Sequence, residues 1–260
     1  MHVLHQHRIR NGMLAGTMAV AIGLVGGTAG AQAAVNCTVS AGVTQVGNLV
    51  VGTGGADNID CSVANPGKII RGLGGHDVIT GTALVDSIDG GTGNDNLNSG
   101  PAGSLGSDSM IGGSGNDTMV AYSGNDTMIG GLGNDTMSGG GGIDNLTGND
   151  GDDVLAGEVG NDTVNGNDGI DTLTGGADND LLHGGNHGDK MFGGIGNDTV
   201  NGNAGNDTLA GDAGIDRLNG GTGDDTLTGP SGDGSIDIND GGAGTDACGL
   251  MSEDIFINCP

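Results

Sequence analysis

Large apolar residues recur along this chain at every ninth position, each two places after an aspartate. From Gly103 to Thr228 the unit Gly-Gly-x-Gly-x-Asp-x-U-x, with U a large apolar residue, fits fourteen times without a gap. The U residues are Met110, Met119, Met128, Met137, Leu146, Leu155, Val164, Leu173, Leu182, Met191, Val200, Leu209, Leu218 and Leu227. The aspartates at position 6 are Asp108, Asp117, Asp126, Asp135, Asp144, Asp153, Asp162, Asp171, Asp180, Asp189, Asp198, Asp207, Asp216 and Asp225. A second block from Gly72 to Asn98 carries Asp77, Asp86 and Asp95, followed by Ile79, Ile88 and Leu97; Ser99-Gly100-Pro101-Ala102 separates it from the main array. Outlying copies stand at Asp57 with Ile59 and at Asp246 with Cys248. Between outliers and blocks the period persists in damaged form. Lys68 takes the aspartate position in Val63 to Arg71, and Asn239 takes the apolar position after Asp237.

Each x-U-x predicts a minimal strand whose middle side chain points to one face and whose neighbours point to the other. Each Gly-Gly-x-Gly predicts a tight turn through positive φ, with Asn at position 5 (Asn116, Asn125, Asn134, Asn197) also suited to the left-handed region. One unit has no core of its own. Wound two units per turn, the chain stacks loop on loop and buries facing rows of U residues, an all-β parallel solenoid. The fourteen unbroken units give seven turns, roughly 30–35 Å at strand spacing. The frayed repeats predict caps, so the chain divides into a leader at 1–33, an N-terminal cap at 34–71, the regular solenoid at 72–228 and a C-terminal cap at 229–260.

Composition sharpens this picture. Acidic residues number 33 against 6 basic ones, for a net charge of −27, and 61 of 260 residues are glycine. With one Tyr, two Phe and no Trp, the chain lacks the payload of an ordinary globular core and lies near the disordered class. So acidic a surface repels nucleic acid, and four prolines exclude collagen. The charge is nevertheless placed, because most of it sits at position 6 of the repeat. Calcium takes six to eight hard oxygens, from carboxylates and backbone carbonyls, at about 2.3–2.6 Å. Glycine-rich loops with one aspartate each supply that donor set, with an ion held between stacked loops by pairs such as Asp117 with Asp135 and Asp126 with Asp144.

Gly193-Gly194-Ile195-Gly196-Asn197-Asp198-Thr199-Val200-Asn201 and Gly130-Gly131-Leu132-Gly133-Asn134-Asp135-Thr136-Met137-Ser138 resemble, residue for residue, the repeats-in-toxin or haemolysin-type calcium-binding nonapeptide. The resemblance implies a right-handed parallel β-roll with calcium at many sites. Its ligands are the position-6 aspartates from Asp77 to Asp225 and the preceding loop carbonyls, with Asp57 and Asp246 at the margins. Family members often carry such repeats as the tail of a protease, lipase, toxin or epimerase, exported through a C-terminal signal. Here no such partner domain is evident, and the export signal is at the other end.

Met13 to Val25 is mostly apolar, follows a weakly basic stretch with Arg8 and Arg10, and precedes Ala31-Gln32-Ala33. This is the pattern of a secretory signal peptide cut after Ala33, and no later segment is apolar enough to span a membrane. Cys37, Cys61, Cys248 and Cys259 suit an oxidising compartment. Three pairings exist in principle; along a rod only Cys37–Cys61 and Cys248–Cys259 can meet.

Other chemistry reads as structural. The methionine run fills core rather than binding copper. His183 and His187, near Asp178, Asp180 and Asp189, are not brought to one face by any helix, so no dedicated transition-metal site is expected. Outward Thr at position 7, as at Thr118 and Thr127, suits exposed strands. There is no His-Glu-x-x-His and no Gly-x-Ser-x-Gly. The expectation is a secreted, non-enzymatic calcium-binding protein of structural or cell-surface role, with a cell-surface or matrix polymer as partner. The alternatives are a calcium-dependent adhesin or a glycan- or ice-binding module, and then an accessory to, or remnant of, an extracellular enzyme or toxin.

Overall fold

The computed structural model describes residues 36–229, 237–249 and 255–259. The expected signal segment and its cut after Ala33 lie outside the described residues. Those described form twenty-five strands and no helix. As the chain advances, its strands alternate between two sheets, one of twelve strands and one of thirteen. Within each sheet, neighbours through the repeat array are parallel and offset by two nonapeptides, as in Thr118↔Thr136 and Met119↔Met137, or Thr127↔Asn145 and Met128↔Leu146. The result is a β-solenoid of about 11 turns, roughly 50–55 Å long at strand spacing.

Most strands of the array exceed the three residues expected, although Val78–Thr80, Asn96–Asn98, Thr118–Val120 and Thr226–Thr228 keep to them. Thr127–Leu132 and Thr136–Gly141 each run from position 7 through position 3 of the next repeat, leaving only positions 4–6 as the turn. Strand alternation explains the extension. Position 7 faces out, U faces in, position 9 faces out, and the first glycine of the next unit faces in again, giving alternating burial along Thr127–Leu132. The insertion at 99–102 lengthens one turn and leaves the stacking intact, because Leu97 still pairs with Met119 and Ile88 with Met110.

The left-handed backbone falls at positions 2 and 4, for example Gly131 (φ 123°) and Gly133 (φ 111°). Where glycine is missing there, Asn149, Asn167, Asp178 and His187 take φ between 76° and 81°. The position-5 asparagines do not, which corrects the expectation placed on them. Their side chains bind across turns instead. Asn116 Oδ1 accepts the Asn134 N–H at 3.1 Å, and Asn134 Oδ1 accepts the Asp152 N–H at 3.2 Å. An exposed ladder of amides thus ties each turn to the one before it.

The U residues from Ile59 to Leu227 are buried almost without remainder and form one continuous core with Val50 and Ile70. Met110 stacks on Met128 in one sheet and Met119 on Met137 in the other, as core filling requires. Both ends depart from the parallel repeat. Thr38–Val39 pairs antiparallel with Asn58–Asp60, and Thr44–Val46 with Leu49–Val51, covering the first sheet edges. Cys37–Cys61 and Cys248–Cys259 are disulfides, one at each end.

Burial separates U from its neighbours energetically. Leu146 is fully buried while Asn145 beside it faces solvent. Leu146→Ala is expected to lower the unfolding free energy of the calcium-loaded protein by about 2–5 kcal/mol. Asn145→Ala should stay within about 0.5 kcal/mol. Denaturant midpoints of the two variants check the contrast.

Candidate metal centre

All but one of the loops end in the position-6 aspartate, Lys68 taking its place in the exception, and stacking at constant register places these side chains in two columns, one along each edge. The first runs through Asp57, Asp77, Asp95, Asp117, Asp135, Asp153, Asp171, Asp189, Asp207, Asp225 and Asp246. The second begins at Lys68 and continues through Asp86, Asp108, Asp126, Asp144, Asp162, Asp180, Asp198, Asp216 and Asp237. All these side chains are buried, with relative exposure of 6 % or less.

Each column is a hydrogen-bond ladder. The backbone N–H of one aspartate donates to Oδ1 of the aspartate a turn further on, at 2.8 Å for both Asp117→Asp135 and Asp126→Asp144. The pairs anticipated as shared ligands are therefore brought together, but one oxygen of the later member already holds backbone. This ladder points opposite to the asparagine ladder outside it, where the later turn donates to the earlier.

The second oxygen defines the site. Oδ2 of Asp77, Asp95, Asp108, Asp117, Asp126, Asp135, Asp144, Asp153, Asp162, Asp171, Asp180, Asp189, Asp198, Asp207, Asp225 and Asp246 is buried and meets no donor. It lies over the first glycine of its own repeat except at Asp108, where Gly103 stands clear, and at Asp126, where position 1 is Ala121. A Cβ on Gly130 would stand 2.3 Å from Asp135 Oδ2 and 2.8 Å from the Gly148 carbonyl oxygen of the next turn. The same arrangement recurs at Gly148 with Asp153 and Gly166, at Gly166 with Asp171 and Gly184, and at Gly202 with Asp207 and Gly220. At these repeats position 1 is glycine because the carboxylate occupies the space of a side chain there. Carboxylate and carbonyl oxygens gathered without a donor need either a proton or a cation, and oxygen-only donors suit a hard one. The residues fit calcium.

Burial has the expected electrostatic result. Desolvation pushes the Asp117, Asp135, Asp162, Asp171 and Asp207 carboxyls up to about 6, against a ladder N–H that pulls each down. Asp126, Asp153, Asp180 and Asp189 reach about 7, where desolvation is joined by the charge of ladder neighbours.

The profile of RTX calcium-binding nonapeptide repeats, built as four copies, matches residues 71–101, 102–137, 129–164, 138–173, 165–200 and 201–236. The chain belongs to the RTX calcium-binding nonapeptide repeat family. Its cofactor is accordingly Ca²⁺, at multiple sites. No curated protein matches the chain.

Two residues in this RTX array went unrecognised in the sequence. Thr53 and Thr82, at position 2, each donate both N–H and hydroxyl to Oδ2 of Asp57 and Asp86. Their signal was a β-branched residue where the repeat calls for glycine. His183 sits on the outer face of its strand, where burial lowers its pKa, and His187 occupies a turn with φ 76°. Among the described residues no three His, Cys, Asp or Glu side chains cluster as metal ligands, so backbone oxygens must complete each calcium site.

Two outcomes follow from this geometry. A carboxyl with a raised native pKa stabilises the metal-free fold fully below its unfolded value near 3.8 and loses that contribution as pH rises through 6–7. In chelator, the β signal by circular dichroism should therefore grow as pH falls from 7.5 towards 4, and calcium affinity should weaken over the same range. Asp135→Asn keeps an acceptor for the Asp117 N–H but removes the charge. Calorimetric stoichiometry should fall by about one calcium per chain, with the calcium-loaded spectrum retained.

Proposed function

We propose that this chain is a secreted protein that folds on calcium into its β-roll and serves a structural or cell-surface role, with a surface or matrix polymer as partner. The carrying observation is the pair of buried carboxylate columns in which most Oδ2 atoms, Asp117 and Asp135 among them, meet no donor. Inside a reducing, calcium-poor compartment those charges repel one another and oppose stacking. Millimolar external calcium supplies the missing positive charge and ties successive turns together. Two disulfides and the leader-like N-terminal sequence support export. The ions belong to the columns from Asp77 to Asp246 and from Asp108 onward, each held by Oδ2 and loop carbonyls. Catalysis forms no part of this proposal. Titrating calcium into the apo protein should raise the β signal cooperatively, and finding the same ordered fold in excess chelator would sink it.

A second reading, a glycan-binding or adhesive module, is favoured by one surface feature. On the outer face of the thirteen-stranded sheet, Gly184 and Gly185 floor a groove of about 720 Å³ walled by Asn165, Asn167, Asp168, His183, Asn186 and Asn203. Its donors and acceptors suit hydroxyl-rich ligands. Glycan-array and ice-recrystallisation assays of the calcium-loaded protein separate this reading from the first, and no binding on either removes it.

A further inference from the structure

We infer that threonine at position 2 takes a ladder aspartate out of the calcium set, and that Thr53, Thr82 and Lys68 close the N-terminal ends of both ladders without metal. This rests on the calcium reading above and says where that reading stops applying.

The cause begins in the backbone. Position 2 takes left-handed φ in most of the array, at glycine (Gly131, 123°), asparagine (Asn149, 79°) and other residues unbranched at Cβ such as Leu73 (79°), with Ser104 a further exception. A β-branched residue disfavours that region. Thr53 and Thr82 are not among the positive-φ residues. In both, the backbone N–H and the hydroxyl of one residue converge on a single carboxylate oxygen. Thr53 reaches Asp57 Oδ2 at 2.6 and 3.0 Å, and Thr82 reaches Asp86 Oδ2 at 2.7 and 2.8 Å. The other oxygens are also engaged. Asp57 Oδ1 accepts from the Ser40 hydroxyl at 2.8 Å, and Asp86 Oδ1 accepts from the Lys68 N–H. With two donors on Oδ2, the lone pairs a cation needs are already taken.

Lys68 completes the closure. It stands at the aspartate position, at the head of the second column, with its side chain 2 % exposed. It interacts electrostatically with Asp86, against a desolvation that lowers its pKa, so a basic group stands at the end of a column that otherwise awaits one. Cys37–Cys61 ties the same end covalently. The terminal turns are thereby satisfied by donors of the chain itself. They present a ready edge to the first open aspartate, since Asp77 Oδ1 accepts the Asp57 N–H at 2.7 Å.

Hydrogen–deuterium exchange of the full oxidised chain tests the inference. In excess chelator, peptides within residues 44–74 should keep protection while those within 127–222 exchange as unfolded chain, and calcium should protect both. Equal, fast exchange of both segments in chelator overturns it. Metal content per chain gives an independent measure. Thr82→Gly frees Asp86 Oδ2 and should add about one calcium, whereas Thr82→Val, which keeps the β-branch and the N–H, should add none. An unchanged count in a Thr82→Gly protein that orders with calcium overturns the lock. If Thr82→Gly fails to order, the wild-type exchange map decides. A wild type that neither binds calcium nor orders with it would instead refute the calcium reading itself.

Discussion

The solenoid is organised around a carboxylate that has one oxygen committed and one left over. In most ladder aspartates Oδ1 receives the backbone N–H of the turn before it, and Oδ2 lies buried over a glycine with no donor in reach. Placing this group in every half-turn makes the stacking interaction and the destabilising charge the same side chain. Few basic groups are there to compensate, since the basic residues number 6 against 33 acids. Those buried oxygens therefore call for a proton or for the calcium that the repeats bind. A single inward row of large apolar residues per sheet supplies the core.

Two ladders of opposite direction frame each edge. The inner one joins an aspartate to the turn before it through the backbone, and the outer one joins an asparagine to the turn after it. Adjacent turns are thus held by polar bonds of both senses, which resists slippage of one turn over the next by a residue or more. Parallel strands of six residues have little intrinsic register preference where glycine occupies two of the positions. The ladders, spaced by eighteen residues, provide it. The 99–102 insertion shows the strength of this constraint, because extra residues are looped out and the ladder closes across them.

Much of the architecture could be read from spacing. The nine-residue period named the buried U rows, the two units per turn, the methionine stacks and the local cysteine pairs, all of which depend only on sequence distance along a regular coil. Position 5 was misjudged for a physical reason: asparagine tolerates left-handed backbone and also makes side-chain bonds, and composition does not say which property is in use. The glycine at position 1 was likewise taken as a turn former. Except at Gly103, its φ lies outside the left-handed region, and what it mostly provides is room for Asp Oδ2.

The sequence by itself determined the repeat, the core and the columns of acids, because these follow from identity at fixed intervals. The tertiary structure decided which oxygen of each acid is spent and which is free, because that depends on a backbone amide eighteen residues away in the chain and 2.8 Å away in space. It also decided that Asp57 and Asp86, indistinguishable from their neighbours as letters, are already satisfied. Their difference arises one step removed, from a threonine whose branched Cβ disfavours the conformation that glycine adopts at the same place.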